Sequence, residues 1–182
     1  MYKKPKSLRA YKTELDPTCY QKNHFNKCAG IARLAYNWAL QYCMEQRKLG
    51  NKHPSFQDVR KAFNSIKDEK FPFMKECARD ITQEAIRNLS IAYSNFFASI
   101  KGKRKGPTMG HPNFKKKHSP RKFKFDQNIS AYHTHIKLPV IGYVKLKEKG
   151  YIPTDVRIRS ATVEQKAGRW FISALVEDTR VV

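Results

Sequence analysis

Acidic residues are the scarcest charged class in this chain: 15 Asp and Glu face 37 Lys and Arg over 182 residues, a formal charge of +22 at pH 7. An imbalance this large opposes compaction by self-repulsion unless an anion offsets it, so a polyanion is the first partner to expect, and nucleic acid the commonest. Long apolar runs are missing as well. The longest uncharged stretch, residues 88–100, is far short of a bilayer span. The amino terminus, Met1-Tyr2-Lys3-Lys4-Pro5-Lys6, has no apolar segment behind it. Neither a membrane span nor a secretory signal is therefore expected, and the expected location is the cytoplasm. Cys-x-x-Cys pairs are absent too: Cys19, Cys28, Cys43 and Cys77 lie 9, 15 and 34 residues apart. That spacing argues against a zinc ribbon and gives little support to a disulfide framework. Cys28 falls on an apolar helical stripe and reads as a buried reduced thiol. His133-Thr-His135 places two imidazoles on one strand face, but two ligands do not make a site, so no metal is expected. Internal repeats and long heptads are also lacking.

What is present suffices for a folded core: 40% hydrophobic residues, with 9 Tyr, 11 Phe and 2 Trp. Residues 7–15 have strand-like composition. Asp16-Pro17 reads as an N-cap with proline at the first helical position, opening a long helix to about Leu49. Its apolar stripe is Phe25, Cys28, Ile31, Ala32, Ala35, Trp38, Ala39 and Tyr42. A second helix starts near Pro54 or Ser55, with Phe56, Val59, Phe63 and Ile66 as its stripe. A third runs from about Asp80 to Ile100, where Ala85, Leu89, Ala92, Tyr93, Phe96, Phe97 and Ile100 keep the helical period. Strand patterns follow at residues 123–125, 135–138, 142–146, 156–163 and 169–177, the last two joined by a hairpin with glycine at position 168. One strand, a block of helices and several strands make an α+β chain: a β-barrel or sheet module split by a three-helix insertion. The expected division is 1–15, the first strand; 16–106, the helical insert; and 107–182, the remaining strands.

The charge is concentrated. Between Glu84 and Asp126 there is no acid and eleven Lys and Arg. Ten of these, Lys101, Lys103, Arg104, Lys105, Lys115, Lys116, Lys117, Arg121, Lys122 and Lys124, are interleaved with Phe114, Phe123 and Phe125. Cations track phosphates and aromatic faces stack on bases, although these phenylalanines read first as core anchors. A second cluster, Lys3, Lys4, Lys6, Arg9 and Lys12, leads into the first strand. Trp38 lies on the apolar stripe, which favours core packing over base stacking. Arg33 and Asn37, spaced i, i+4, suit either a shared face toward RNA backbone or a local hydrogen-bonded pair.

Six blocks, in order, resemble the amino-terminal part of the TnpB (OrfB) family of transposon-encoded proteins, relatives of type V CRISPR effectors. They are Arg9-Ala-Tyr-Lys-Thr-Glu-Leu-Asp-Pro17-Thr18, Arg33-Leu-Ala-Tyr36-Asn37-Trp38-Ala39-Leu40 and Ile86-Arg-Asn-Leu-Ser-Ile-Ala-Tyr-Ser-Asn-Phe96-Phe97. Gly110-His-Pro112-Asn-Phe114-Lys115-Lys-Lys117, Leu138-Pro139-Val-Ile-Gly142-Tyr-Val144 and Gly168-Arg-Trp170-Phe171 complete the set. The resemblance implies a wedge-type β-barrel split by a helical recognition insert with helix-turn-helix character. It also implies two partners: a guide RNA from the transposon end and double-stranded target DNA beside a short adjacent motif. By alignment with the family, Phe56, Arg60, Arg79 and Gln83 would face that motif. Asp80-x-x-Gln83 also resembles a capping box that would occupy Gln83 locally. In the family a RuvC-like domain using Mg²⁺, and a later zinc ribbon holding Zn²⁺, follow this region. The sequence ends at Val182, before either, so the chain is expected to bind and not to cut, with no cofactor of its own and no catalytic residue. Two other classes fit the charge: a structural RNA-binding protein and a stand-alone DNA-binding repressor. The six blocks argue against the first. The long segment between helices two and three argues against the second.

Overall fold

A computed structural model describes residues 7–178. The first strand, β1 (Ser7–Asp16), leads into α1 (Cys19–Lys48), α2 (Phe56–Lys70), a 3-10 turn (Pro72–Glu76) and α3 (Asp80–Ile100). Six strands follow: β2 (Lys122–Phe125), β3 (Ser130–Ala131), β4 (His135–Leu138), β5 (Gly142–Leu146), β6 (Arg157–Lys166) and β7 (Arg169–Asp178). The order of one strand, three helices and several strands is the one the sequence pattern implies. Two compact units result. One comprises residues 7–29, Glu76–Ile81 and residues 120–178; the other is Gly30–Lys75 with Thr82–Ser119.

In the first unit the strands form one antiparallel sheet in the order β2-β6-β7-β1-β5-β4-β3. β1 pairs with β7 along nine residue pairs from Ser7↔Asp178 to Leu15↔Trp170, so the first strand is built into the middle of strands that arrive more than a hundred residues later. A closed barrel was the expectation. The described strands instead make an open order in which β2 and β3 are the ends, with no ladder joining them. A cleft of about 420 Å³, lined by residues 126–131, Thr154 and residues 156–159, lies beside β3 and β6. Alternation sets which face is buried: Phe123 and Phe125 on β2, Ala161 and Val163 on β6, and Ile172, Ala174 and Val176 on β7 all point inward. The start of α1 caps this face, with the fully buried Phe25 ring 5.0 Å from Trp170 and 5.8 Å from Phe123.

Local chemistry explains the boundaries. The cap of α1 is Thr18 and not Asp16. Thr18 Oγ1 accepts from Gln21 N at 3.3 Å while Gln21 Oε1 accepts from Thr18 N at 3.0 Å, a capping box. Asp16 stays in β1, where its carboxylate meets Lys145 Nζ at 3.5 Å and Lys147 Nζ at 4.0 Å. Ser55 and Asp58 make the same reciprocal box at the start of α2. Both α1 and α3 end at a glycine in the left-handed region, Gly50 and Gly102, as helix stops require. Asp80, by contrast, turns its buried carboxylate to the backbone N–H of Asp126 (3.3 Å) and the amide of Gln127 (3.1 Å), tying the first turn of α3 to the segment after β2.

In the second unit the later part of α1 is buried along Ile31, Ala32, Ala35, Tyr36, Ala39, Leu40 and Cys43. Trp38 stacks on Tyr42 (5.3 Å between ring centres) and tilts against Phe63 of α2 (5.1 Å), the packing role its position on the stripe indicates.

Candidate nucleic-acid interface

The most basic stretch of the described chain, residues 101–117, is ordered by its neighbours in the second unit. Asn37, half-buried on α1, reaches the segment with its amide: Nδ2 donates to Lys115 O at 2.9 Å and Oδ1 accepts from Lys115 N at 2.8 Å. Both backbone groups of Lys115 are thus satisfied by one side chain 78 positions earlier. Arg33 points the same way, with Nη1 3.5 Å from Lys117 O. Neither residue takes the local i, i+4 pairing. The Asn37 amide is engaged by the protein's own backbone, so its contribution is to hold the loop. Lys115 Nζ lies over the buried Tyr36 ring at 4.1 Å. Burial raises the Tyr36 pKa above its ordinary value, which keeps the phenol neutral beneath the ammonium. Ser119 Oγ accepts from Lys116 N at 2.9 Å. Arg104 folds back on Pro107 O at 2.7 Å, and Met109 N donates to Ser99 Oγ at 3.0 Å. Held this way, Lys116 and Lys117 remain exposed, as do Lys101, Lys103 and Lys105.

Among the aromatics interleaved with these cations, Phe123 and Phe125 are core residues of β2, whereas Phe114 is 45% exposed. In the first unit, Arg121 donates to Gln165 Oε1 at 2.8 Å, Lys122 is exposed and Lys124 half-buried. Arg9 is exposed. Lys12 is paired with Glu164, a hydrogen bond that raises the lysine pKa and lowers that of the carboxyl. Lys3 and Lys4 lie outside the described residues.

The residues aligned to a DNA-motif reader divide between the units. Arg79 is exposed in the first, whereas Phe56, Arg60 and Gln83 are half-buried in the second. Phe56 supports a cation that composition does not single out. The Arg87 guanidinium sits 4.7 Å above its ring, while Arg87 Nε donates to the buried Glu84 at 2.8 Å. A cavity in the same unit was also invisible in the sequence. It measures about 630 Å³, is walled by Tyr93, Phe96 and Phe97, and is bordered by Arg47, His53 and His111. His53 packs 4.4 Å from the Tyr93 ring. Burial, and then the neighbouring His111, lower its pKa, while burial pushes Tyr93 up to about 12. Aromatic walls with a cationic border suit stacking of a planar base.

An α+β chain that displays a backbone-clamped, acid-free array of lysines offers the surface chemistry that phosphate binding requires. Residues 7–52, here β1, α1 and the turn after it, match the family model HTH_OrfB_IS605, described as a helix-turn-helix domain. Three relatives bear names that read "Putative RNA-guided DNA endonuclease". InsQ of Escherichia coli (strain K12) is 27% identical over 175 residues, 94% of this chain and 41% of its own. A Streptomyces pristinaespiralis protein is 28% identical, over 94% of this chain and 42% of its own. One from Mycobacterium tuberculosis (strain ATCC 25618 / H37Rv) is 27% identical, over 78% of this chain and 34% of its own. The chain therefore spans well under half the length of these relatives. It is similar to the TnpB/OrfB family, through the family model over residues 7–52 and through these relatives over most of its own length.

Proposed function

We propose that this chain holds a guide RNA and double-stranded target DNA for a TnpB-type system, with residues 101–117 as the principal phosphate-tracking element and a short DNA motif read by Phe56, Arg60, Arg79 and Gln83. The observation that carries the reading is the Asn37–Lys115 clamp, which fixes a loop of lysines through its backbone while Lys116 and Lys117 stay exposed. Preorganised cations bind phosphate with less ordering cost than a free loop. The sheet and the helices between β1 and β2 serve as the wedge and recognition parts in this reading. In this reading residues 7–178 contribute binding, and strand cleavage with its Mg²⁺ and the ribbon Zn²⁺ are functions of other parts of the TnpB-type system.

The test is to sequence RNA that co-purifies with the expressed protein. One RNA mapping beside the gene is the expected outcome; bulk ribosomal RNA alone would favour a structural RNA-binding protein and sink the proposal. With that RNA, a matching DNA duplex and Mg²⁺, the chain is expected to shift the duplex and leave it intact.

A further inference from the structure

Cysteine spacing argues against a metal ribbon, yet the fold of the first unit brings three ligating side chains together. His24 and Cys28 are spaced i, i+4 and share one face of α1, and Cys77 follows the 3-10 turn. Cys28 Sγ and Cys77 Sγ are 3.3 Å apart, His24 Nε2 is 3.8 Å from Cys77 Sγ, and all three ligand atoms lie within 4.8 Å of one another. Tetrahedral Zn²⁺, with bonds of about 2.3 Å to sulfur and about 2.0–2.1 Å to nitrogen, separates its donors by about 3.5–3.8 Å. The observed distances bracket that range. A disulfide needs an S–S distance of about 2.05 Å, and both thiols are free. Cys28 is fully buried and Cys77 is 4% exposed, whereas His24 is half-buried, which leaves one side of the cluster open to solvent.

We propose that His24 Nε2, Cys28 Sγ and Cys77 Sγ form a structural site for a thiophilic divalent cation, Zn²⁺ by ligand chemistry, with solvent in the fourth position. Two thiolates and an imidazole are borderline-soft donors that select Zn²⁺ over Mg²⁺ or Ca²⁺. The ion would clip Glu76–Ile81 to the first turns of α1. This is the segment from which Asp80 holds Asp126 and Gln127, so the clip would also steady the start of the later strands. Closing a loop of 49 residues, the site would remove chain entropy from the unfolded state. Each thiol that ligates gives up its proton to solvent, so binding weakens as pH falls. The proposal is independent of the nucleic-acid reading and can fail without it.

The test titrates Co²⁺ into the full chain, purified under reducing conditions and stripped of metal. The expected result is one equivalent bound with a thiolate-to-cobalt charge-transfer band, displaced by Zn²⁺, and a higher Tm in the metal-bound protein. Cys77→Ser should abolish the band. His24→Gln, at a half-buried position, should weaken binding by roughly ten-fold or more while its metal-free Tm stays that of the parent. Cys19→Ser, at an exposed thiol outside the cluster, should change nothing. A missing charge-transfer band, a band that survives both Cys77→Ser and His24→Gln, or a Cys28–Cys77 disulfide in freshly isolated protein would overturn the site.

Discussion

Asn37 is the residue on which the basic loop depends, because one amide satisfies both a backbone donor and a backbone acceptor of Lys115. Asn37→Asp is therefore more informative than Asn37→Ala. The carboxylate can still accept from Lys115 N, but its second oxygen opposes Lys115 O, turning one bond into a repulsion. About 2 kcal/mol of stability should be lost, read as a shift in the urea midpoint at constant m-value. An unchanged midpoint would show that the clamp does not hold in solution. The lysines should divide by environment. Lys116→Ala and Lys117→Ala, at exposed positions, should each lower the log–log salt slope of RNA binding by about 0.7 for every phosphate they neutralise, with stability unchanged to within about 0.5 kcal/mol. Lys115→Ala should also cost about 0.5–1 kcal/mol of stability, since its ammonium lies over Tyr36. If the three variants behaved alike in both assays, that division of roles would be wrong.

The turns store strain that the strands on either side impose. Ala167 (φ 46°) and Gly168 (φ 77°) close the β6–β7 hairpin between the pair Lys166↔Arg169, and a two-residue loop with both φ angles positive is the turn that Asn-Gly prefers. Val140 (φ 68°) sits in the turn between β4 and β5, where a β-branched side chain in the left-handed region is costlier than alanine. Ala167→Asn should therefore stabilise the protein by about 0.5 kcal/mol and Val140→Asn by about 1 kcal/mol, measured by denaturant titration; the reverse ranking would contradict this account. The hairpin shows what was legible at this scale. Alternation and a glycine located β6, β7 and their turn, and helical periodicity located all three helices. Barrel closure was not legible, because alternation reports which face of a strand is buried and says nothing about whether the end strands meet. β3 escaped notice because two residues carry no period. The cap of α1 was displaced by two residues because Asp16 is drawn into the β1–β5 ladder and its two lysines. The site divided the same way. Its lysines stand out in composition, but the partners of Asn37, Arg87 and Cys77 are set by tertiary contacts with no local signature.

At the scale of the whole molecule, 37 Lys and Arg are offset by fifteen acids, and the remaining +22 is left to whatever anion binds. The shifted carboxyls act in one direction. The Lys12 ammonium holds the Glu164 carboxyl below its ordinary value of 4.5, and hydrogen bonds to Ser55 hold Asp58 below 3.8. A group whose folded pKa is depressed contributes stability that is present above its unfolded pKa and is lost as pH falls through the folded value. His53, lowered from 6.5 by burial and then by His111, obeys the same sign, since its neutral form is the one that fits between Tyr93 and Phe97. Stability should therefore decline in two stages on acidification, first below about pH 6.5 and then below about pH 4.5, while the net positive charge rises at each stage and adds self-repulsion. A polyanion should oppose this decline. At low ionic strength, heparin or RNA at about 100 times its Kd should stabilise the chain by roughly 2.7 kcal/mol, seen as a rise in Tm. The rise should disappear as salt is added, because the released counterions that drive binding are then no longer dilute. His53→Phe should reduce the first acid stage, to which His24, also lowered by burial, contributes with the same sign, and leave the polyanion effect intact, since the cavity and the lysine array act through different groups. A Tm that did not respond to polyanion at low salt would mean that the basic surface is compensated within the protein, and the nucleic-acid reading would fail at its electrostatic root.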